Sequence, residues 1–209
     1  MILLTGFGPF PGIAHNASAD LVAALSVAAA KRFPKKNIVA HVLPTEWAAA
    51  PHHLAKLYRA HDPVLSLHFG VSARAQGFCI ETTAHNTQRM APDAANRLPT
   101  SNTVAARGPD TLPVTINARR IVRRLNGLGV PASVSPSAGT YLCNSVLYRS
   151  IEWSQKQVEP GMAGFIHMPV TFSGLGSGPG FGFDTALAGG MEIIRACLGL
   201  PPLQTPPVS

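Results

Sequence analysis

A cysteine at a strand-to-helix handover and two titratable side chains standing where the pattern expects a hydrophobe together describe acyl-transfer chemistry. Cys143 lies in Ser137-Ala138-Gly139-Thr140-Tyr141-Leu142-Cys143-Asn144-Ser145. Pro131 to Pro136 reads as a short strand before it, and Asn144 to Lys156 has the apolar spacing of a helix after it. The cysteine therefore sits where a strand hands over to a helix. Unpaired N–H groups and the positive end of the helix dipole stabilise an anion there, which favours a thiolate. A thiolate also needs a base to form it and a third group to hold that base. His167, inside the apolar run Gly164-Phe165-Ile166-His167-Met168-Pro169-Val170, is the candidate base, and Glu81, inside Gly77-Phe78-Cys79-Ile80-Glu81-Thr82-Thr83-Ala84, the candidate orienting group. Each alone has a plain structural reading: a satisfied core histidine, a carboxylate turned to solvent by strand alternation, an inert half-buried cysteine. The combination points to a nucleophile, base and orienter.

The elements that must carry these residues alternate along the chain. Ile2–Phe7 reads as a buried strand, 19–32 as an Ala-rich helix, 37–43 as a strand, 46–60 as a helix and 63–70 as another apolar strand. Further on, 78–84 reads as a strand, 117–125 as a helix, 130–135 as a strand, 162–170 as a strand and 185–198 as a closing helix. Continuous apolar strands followed by helices predict a mostly parallel sheet covered on both faces, a three-layer α/β/α fold. The length of 209 residues and an apolar fraction of 46% suit one domain over residues 1–209. Two stretches break the alternation. Residues 85–111 form an aperiodic excursion too long for an idle connection, expected near the site, and the glycine-rich stretch 172–183 is expected to be a flexible loop or lid. The tail 201–209 is expected to be loosely held.

Composition narrows the function classes. Three cysteines, Cys79, Cys143 and Cys197, form no disulfide framework or metal-type spacing; Cys79 and Cys197 read as small core residues. His52, His53 and His61 lack the spacing of a zinc helix, so no metal is expected. Glycines at Gly6 and Gly8 follow the first strand, but the third position of the dinucleotide fingerprint falls on Pro11, so no nucleotide cofactor is expected either. The net charge of +7 comes largely from Lys31–Lys36 and from Arg119, Arg120, Arg123 and Arg124. These read as a helix C-terminus and a solvated helix face, and no nucleic-acid motif accompanies them. No apolar run suffices to span a membrane, and no secretory pattern opens the chain, so a cytoplasmic location is expected. Asn16-Ala17-Ser18 reads as a helix cap.

Four blocks carry a family resemblance: Leu3-Leu4-Thr5-Gly6-Phe7-Gly8-Pro9-Phe10, Gly70-Val71-Ser72 through Glu81 to Asn86, Ala138-Gly139-Thr140-Tyr141-Leu142-Cys143-Asn144, and Phe165-Ile166-His167-Met168-Pro169. In content, order and spacing they resemble pyroglutamyl peptidase I, also called pyrrolidone-carboxylate peptidase, a family of cysteine exopeptidases that remove an amino-terminal pyroglutamate. The resemblance implies Cys143 as nucleophile, His167 as base, Glu81 as orienting group, and no cofactor. It implies a neutral lactam pocket near Phe10, Asn16, Thr45, Val71, Tyr141 and Leu142, pyroglutamyl peptides as substrates, and a chain that can form a homodimer or homotetramer. Arg89, or less directly Arg97, would help hold the oxyanion. The chain departs from many bacterial members at Ala17, at Ile13 and at Arg89, which stands a little nearer Asn86 than the family's arginine does. Two other functions fit the same residues: a lactam or acyl-amide binder that has lost its chemistry, and a different cysteine amidase.

Overall fold

Strands form here both from runs of adjacent apolar residues, buried on both faces, and from shorter, partly exposed segments. In the computed structural model, which describes residues 1–172 and 181–203, they are β1 (Ile2–Phe7), β2 (Ile38–Leu43), β3 (Leu65–Val71), β4 (Phe78–Glu81), β5 (Thr83–His85), β6 (Thr111–Pro113), β7 (Ala132–Ser135) and β8 (Met162–Met168). The helices are α1 (Ala17–Arg32), α2 (Ala49–His61), α3 (Ala118–Gly127), α4 (Leu142–Gln155) and α5 (Phe183–Cys197). Of the expected lid and tail, positions 173–180 and 204–209 lie outside the described residues.

The main sheet has the order β2-β1-β3-β8-β4-β7. β2, β1, β3 and β8 run parallel; β4 is antiparallel to β8 and parallel to β7. Side-chain alternation divides the strands between two cores. Ile2, Leu4, Leu65, Leu67, Phe69 and Ile166 pack with α1, α3 and α5, whereas Leu3, Phe7, Ala163 and Phe165 pack with α2 and α4. Each fully buried Leu, Ile or Phe contributes roughly 1.5–3 kcal/mol, so two such layers hold the sheet on both sides. The result is the mostly parallel, mixed three-layer α/β/α architecture expected.

One expected strand divides. The run 78–84 was expected to be continuous, but the chain leaves the main sheet after Glu81. Thr82 N–H bonds to the Ser135 carbonyl at 2.8 Å, and Thr83–His85 then pairs with Thr111–Pro113 in a separate antiparallel ribbon. β6, which begins at the last residue of the aperiodic excursion, is three residues long and too short to show a period. Helix α1 begins as its sequence suggests: Asn16 Oδ1 accepts from Ser18 N–H at 3.2 Å, and Asp20 occupies the first turn. Gly6 is needed for this approach, because a Cβ there would lie 2.6 Å from the Ser18 carbonyl oxygen. Among the described residues no helix is long and apolar enough to cross a membrane.

Candidate active site

Helix α4 delivers the thiol. Gly139 takes φ +79°, a left-handed turn that a side chain would strain, and Tyr141 caps the helix in extended conformation without a side-chain hydrogen bond. Cys143 is thus the second helical residue, one position deeper than the handover the sequence suggested. The Tyr141 carbonyl takes the N–H groups of Asn144 and Ser145, at 3.1 and 3.2 Å. The N–H groups of Leu142 and Cys143 precede any intrahelical acceptor and remain for an incoming anion.

Strand register brings the other two groups to the thiol. Gly70 on β3 pairs with His167 on β8, and His167 in turn pairs with Cys79 on β4. Cys143 Sγ rests over Gly70: an added Cβ would lie 3.3 Å from the sulfur and 2.8 Å from the Phe165 ring. Glu81, two residues beyond Cys79 and so on the same face of β4, places Oε1 2.7 Å from His167 Nδ1. With Nδ1 so engaged, Nε2 is left for Cys143. Burial lowers the His167 pKa, but the charge and hydrogen bond of Cys143, followed by the hydrogen bond and charge of Glu81, more than reverse this and raise it to about 10. A protonated imidazole between a carboxylate and a sulfur is the form a thiolate requires.

These groups face a cavity of about 660 Å³ at the carboxyl ends of the parallel strands. Phe10, Asn16, Thr45, Val71, Arg89, Tyr141 and Leu142, all picked out in the sequence, line it together with Cys143, His167 and Glu81. Arg97 is not among the lining residues. The polar groups of Asn16 and Thr45 are partly spent on structure: Asn16 Nδ2 and Thr45 Oγ1 both donate to the Gly8 carbonyl, at 3.0 and 2.9 Å. They fix the turn that carries Phe10, which closes through paired Phe10 and Ile13 backbone bonds of 3.1 and 2.8 Å. Tyr141 is held by its hydroxyl on the Pro92 carbonyl at 3.0 Å and edge-on against Trp47, with ring centroids 4.9 Å apart. Arg89 is exposed, its guanidinium carbon 5.6 Å from the Tyr141 ring centre.

The sequence missed Phe7, Arg74, Cys79, Ser135 and Ser137, which also line the cavity. Cys79 was read as core; it is half-buried instead, because its face of the β4–β7 edge has no helix over it. Alternation from Glu81 was the available signal.

The excursion 85–111 is tied to α4 by Asn144. This fully buried side chain accepts from His85 N–H at 2.8 Å and donates to the His85 and Thr87 carbonyls at 2.7 and 3.0 Å. Asp93 holds the far side, accepting from Trp47, Ala95 and Arg97 N–H groups, each at 2.9 Å. Burial opposes its charge, yet these bonds and the Arg97 guanidinium bring its pKa below the usual value. Asn144→Ala leaves three partly buried backbone groups of His85 and Thr87 without this partner and is expected to lower stability by about 1–3 kcal/mol. A urea midpoint equal to that of the parent chain would show the clamp to be unimportant.

An open α/β sheet with thiol, imidazole and carboxylate in series at its strand ends has the construction of a cysteine hydrolase. The family model described as "Pyroglutamyl peptidase" matches residues 1–189, and the chain belongs to that family. A pyrrolidone-carboxylate peptidase of Cupriavidus pinatubonensis is 34% identical over 171 residues, covering 80% of this chain and 77% of that protein. Among solved structures, pyroglutamyl peptidase I of Bacillus amyloliquefaciens aligns with a TM-score of 0.80 at 26% identity, over 94% of this chain and 96% of that one. Pyrrolidone carboxyl peptidase from Thermus thermophilus aligns with a TM-score of 0.79 at 28% identity, over 95% and 98% of the two chains.

Proposed function

We propose that this chain hydrolyses the amide bond after an amino-terminal pyroglutamyl residue, with Cys143 as nucleophile, His167 as base and acid, and Glu81 as the group that orients the imidazole. The observation that carries this reading is the placement of the bonded His167–Glu81 pair beside Cys143 at the edge of a cavity walled by Phe7 and Phe10. A lactam is neutral and compact, so it asks for apolar walls and a few hydrogen bonds. It asks for no carboxylate of the kind that captures a free amino terminus. Glu81, whose Oε1 is already bonded to His167, is the carboxylate among the described lining residues.

The thiolate of Cys143 attacks the carbonyl carbon that joins pyroglutamate to the next residue, forming a C–S bond. The oxyanion lies at the N–H groups of Leu142 and Cys143, with Arg89 at the cavity edge adding positive potential. As the C–N bond breaks, imidazolium His167 gives its proton to the leaving amine. A water then loses a proton to neutral His167 and attacks the thioester, the C–S bond breaks, and pyroglutamic acid leaves with the Cys143 thiolate and His167 imidazolium restored. A reactive free thiol fits a reducing compartment, and the cytoplasm is the location proposed.

The test is hydrolysis of a fluorogenic pyroglutamyl amide under reducing conditions, beside a prolyl amide that lacks the lactam carbonyl. Release of fluorophore from the first and not the second is expected. Equal cleavage of both would remove the lactam specificity, and silence toward both would remove the activity.

A further inference from the structure

We infer that Arg74 selects the residue that leaves, favouring pyroglutamyl peptides whose second residue is acidic; this inference rests on the activity proposed above. The sheet order fixes two sides of the reacting carbonyl. Cys143 lies over Gly70 on β3, with β1 and its Phe7 and Phe10 on one side and β8 with His167 on the other. The acyl group thus occupies the β1 side, between the thiol and the phenyl rings. His167 must hand its proton to the departing nitrogen, so the leaving residue extends over β8 toward β4.

The loop that joins β3 to β4 crosses this second side. Ser72 N–H bonds to the Met168 carbonyl at 2.8 Å, one residue beyond His167, and Ala75 N–H closes a turn on the Ser72 carbonyl at 3.1 Å. Arg74 N–H also bonds to Ser72 Oγ at 3.3 Å, so the backbone that carries Arg74 is pinned beside the end of β8. Its side chain is exposed, lines the same cavity and forms no ion pair among the described residues. Apart from the mutually bonded His167–Glu81 pair, the groups on this side are small and neutral, among them Ser135, Ser137 and Ala75. Arg89, the other cavity cation, lies over Tyr141 and follows the helix that bears the nucleophile. A guanidinium at the rim with no ion-pair partner among the described residues complements a carboxylate on the residue after pyroglutamate, since Glu81 is already bonded to His167. An exposed pairing of this kind is worth roughly 0.2–1 kcal/mol, which corresponds to about a threefold preference in kcat/KM and is screened by salt.

Three amidated dipeptides test this: pyroglutamyl-aspartyl amide, pyroglutamyl-asparaginyl amide and pyroglutamyl-lysyl amide, the first two nearly isosteric and differing in charge. Release of pyroglutamate is followed chromatographically at about 20 mM and about 300 mM salt, conditions that bracket the screening range. In low salt the aspartyl substrate is expected to be cleaved about three times as efficiently as the asparaginyl one. That ratio should approach one in high salt and in Arg74→Gln, and Arg74→Glu should shift preference toward the lysyl substrate. If the asparaginyl peptide is cleaved and the aspartyl peptide no faster, or if Arg74→Gln keeps the preference, the role of Arg74 falls while the activity stands. If none of the three is cleaved by the parent chain, the activity falls and this inference with it.

Discussion

Cys143→Ala is expected to lower turnover of a pyroglutamyl amide by about three orders of magnitude or more, while the protein stays folded. Three orders correspond to about 4 kcal/mol of lost transition-state stabilisation, at roughly 1.4 kcal/mol per factor of ten. The loss is large because no lining hydroxyl stands in the thiol's place: Ser72, Ser135 and Ser137 belong to the β3–β4 loop and the β4–β7 edge, whereas Cys143 opens α4 over Gly70. The fold should tolerate the change, since Cys143 is half-buried at a cavity wall and its partner His167 is also held by Glu81. His167→Ala should lose a similar amount, and the double variant little more than either single one, because nucleophile and base act as a unit. Single-turnover rates, read beside circular dichroism and thermal unfolding, decide the matter. A folded alanine variant that retained even a tenth of the parent rate would remove Cys143 as nucleophile.

The fold was legible wherever burial imposed continuous apolar runs. β1 was read to the residue, and β3 and β8 to within two residues at each end, since each sits between two helical layers and is apolar along most of its length. Legibility failed where hydrogen bonds to distant segments set the path. The division at Thr82 depends on the Ser135 carbonyl, and the order within 85–111 depends on Asn86, Asp93 and Asn144, whose partners are scattered along the chain. The site shows the same contrast. His167 and Glu81 could be picked out because each interrupts an apolar pattern, and Cys143 because it stands where a strand hands over to a helix. Cys79 and Arg74 could not, because the first looks like a core residue in a strand and the second like an ordinary surface charge. Only the register Cys79–His167 and the crossing of the β3–β4 loop give them a place in the cavity.

Stability should decline on both sides of a pH window bounded by two histidines on neighbouring strands. His68 is fully buried on β3, with Nδ1 2.7 Å from Thr5 Oγ1 and Nε2 2.7 Å from Ser150 Oγ. The network continues through the Tyr58 hydroxyl to Ser66 Oγ at 2.8 Å, and burial pushes the Tyr58 phenol up to about 12, so it stays a neutral donor. Both nitrogens of a neutral His68 are thereby satisfied, and burial holds its pKa down to about 3. Its unfolded value is near 6.5, so the fold's advantage is complete above that pH and is lost as pH falls toward about 3. His167 has the opposite sign: its folded pKa is raised to about 10, so its contribution is complete below 6.5 and is lost as pH rises through about 10. Urea titrations at about pH 4.5, 6.5 and 10 should give the greatest stability near the middle value, with about 2.5 kcal/mol lost to His68 between 6.5 and 4.5 at about 1.36 kcal/mol per unit. Substitution separates the two limbs. His68→Gln, which keeps an amide donor and acceptor for Thr5 and Ser150, should flatten the acid limb, and His167→Gln should flatten the alkaline limb and leave the acid one. An acid limb unchanged in His68→Gln would assign that loss to carboxylates such as Asp93 and Glu152, whose folded pKa values are lowered and whose contributions also fade as pH falls.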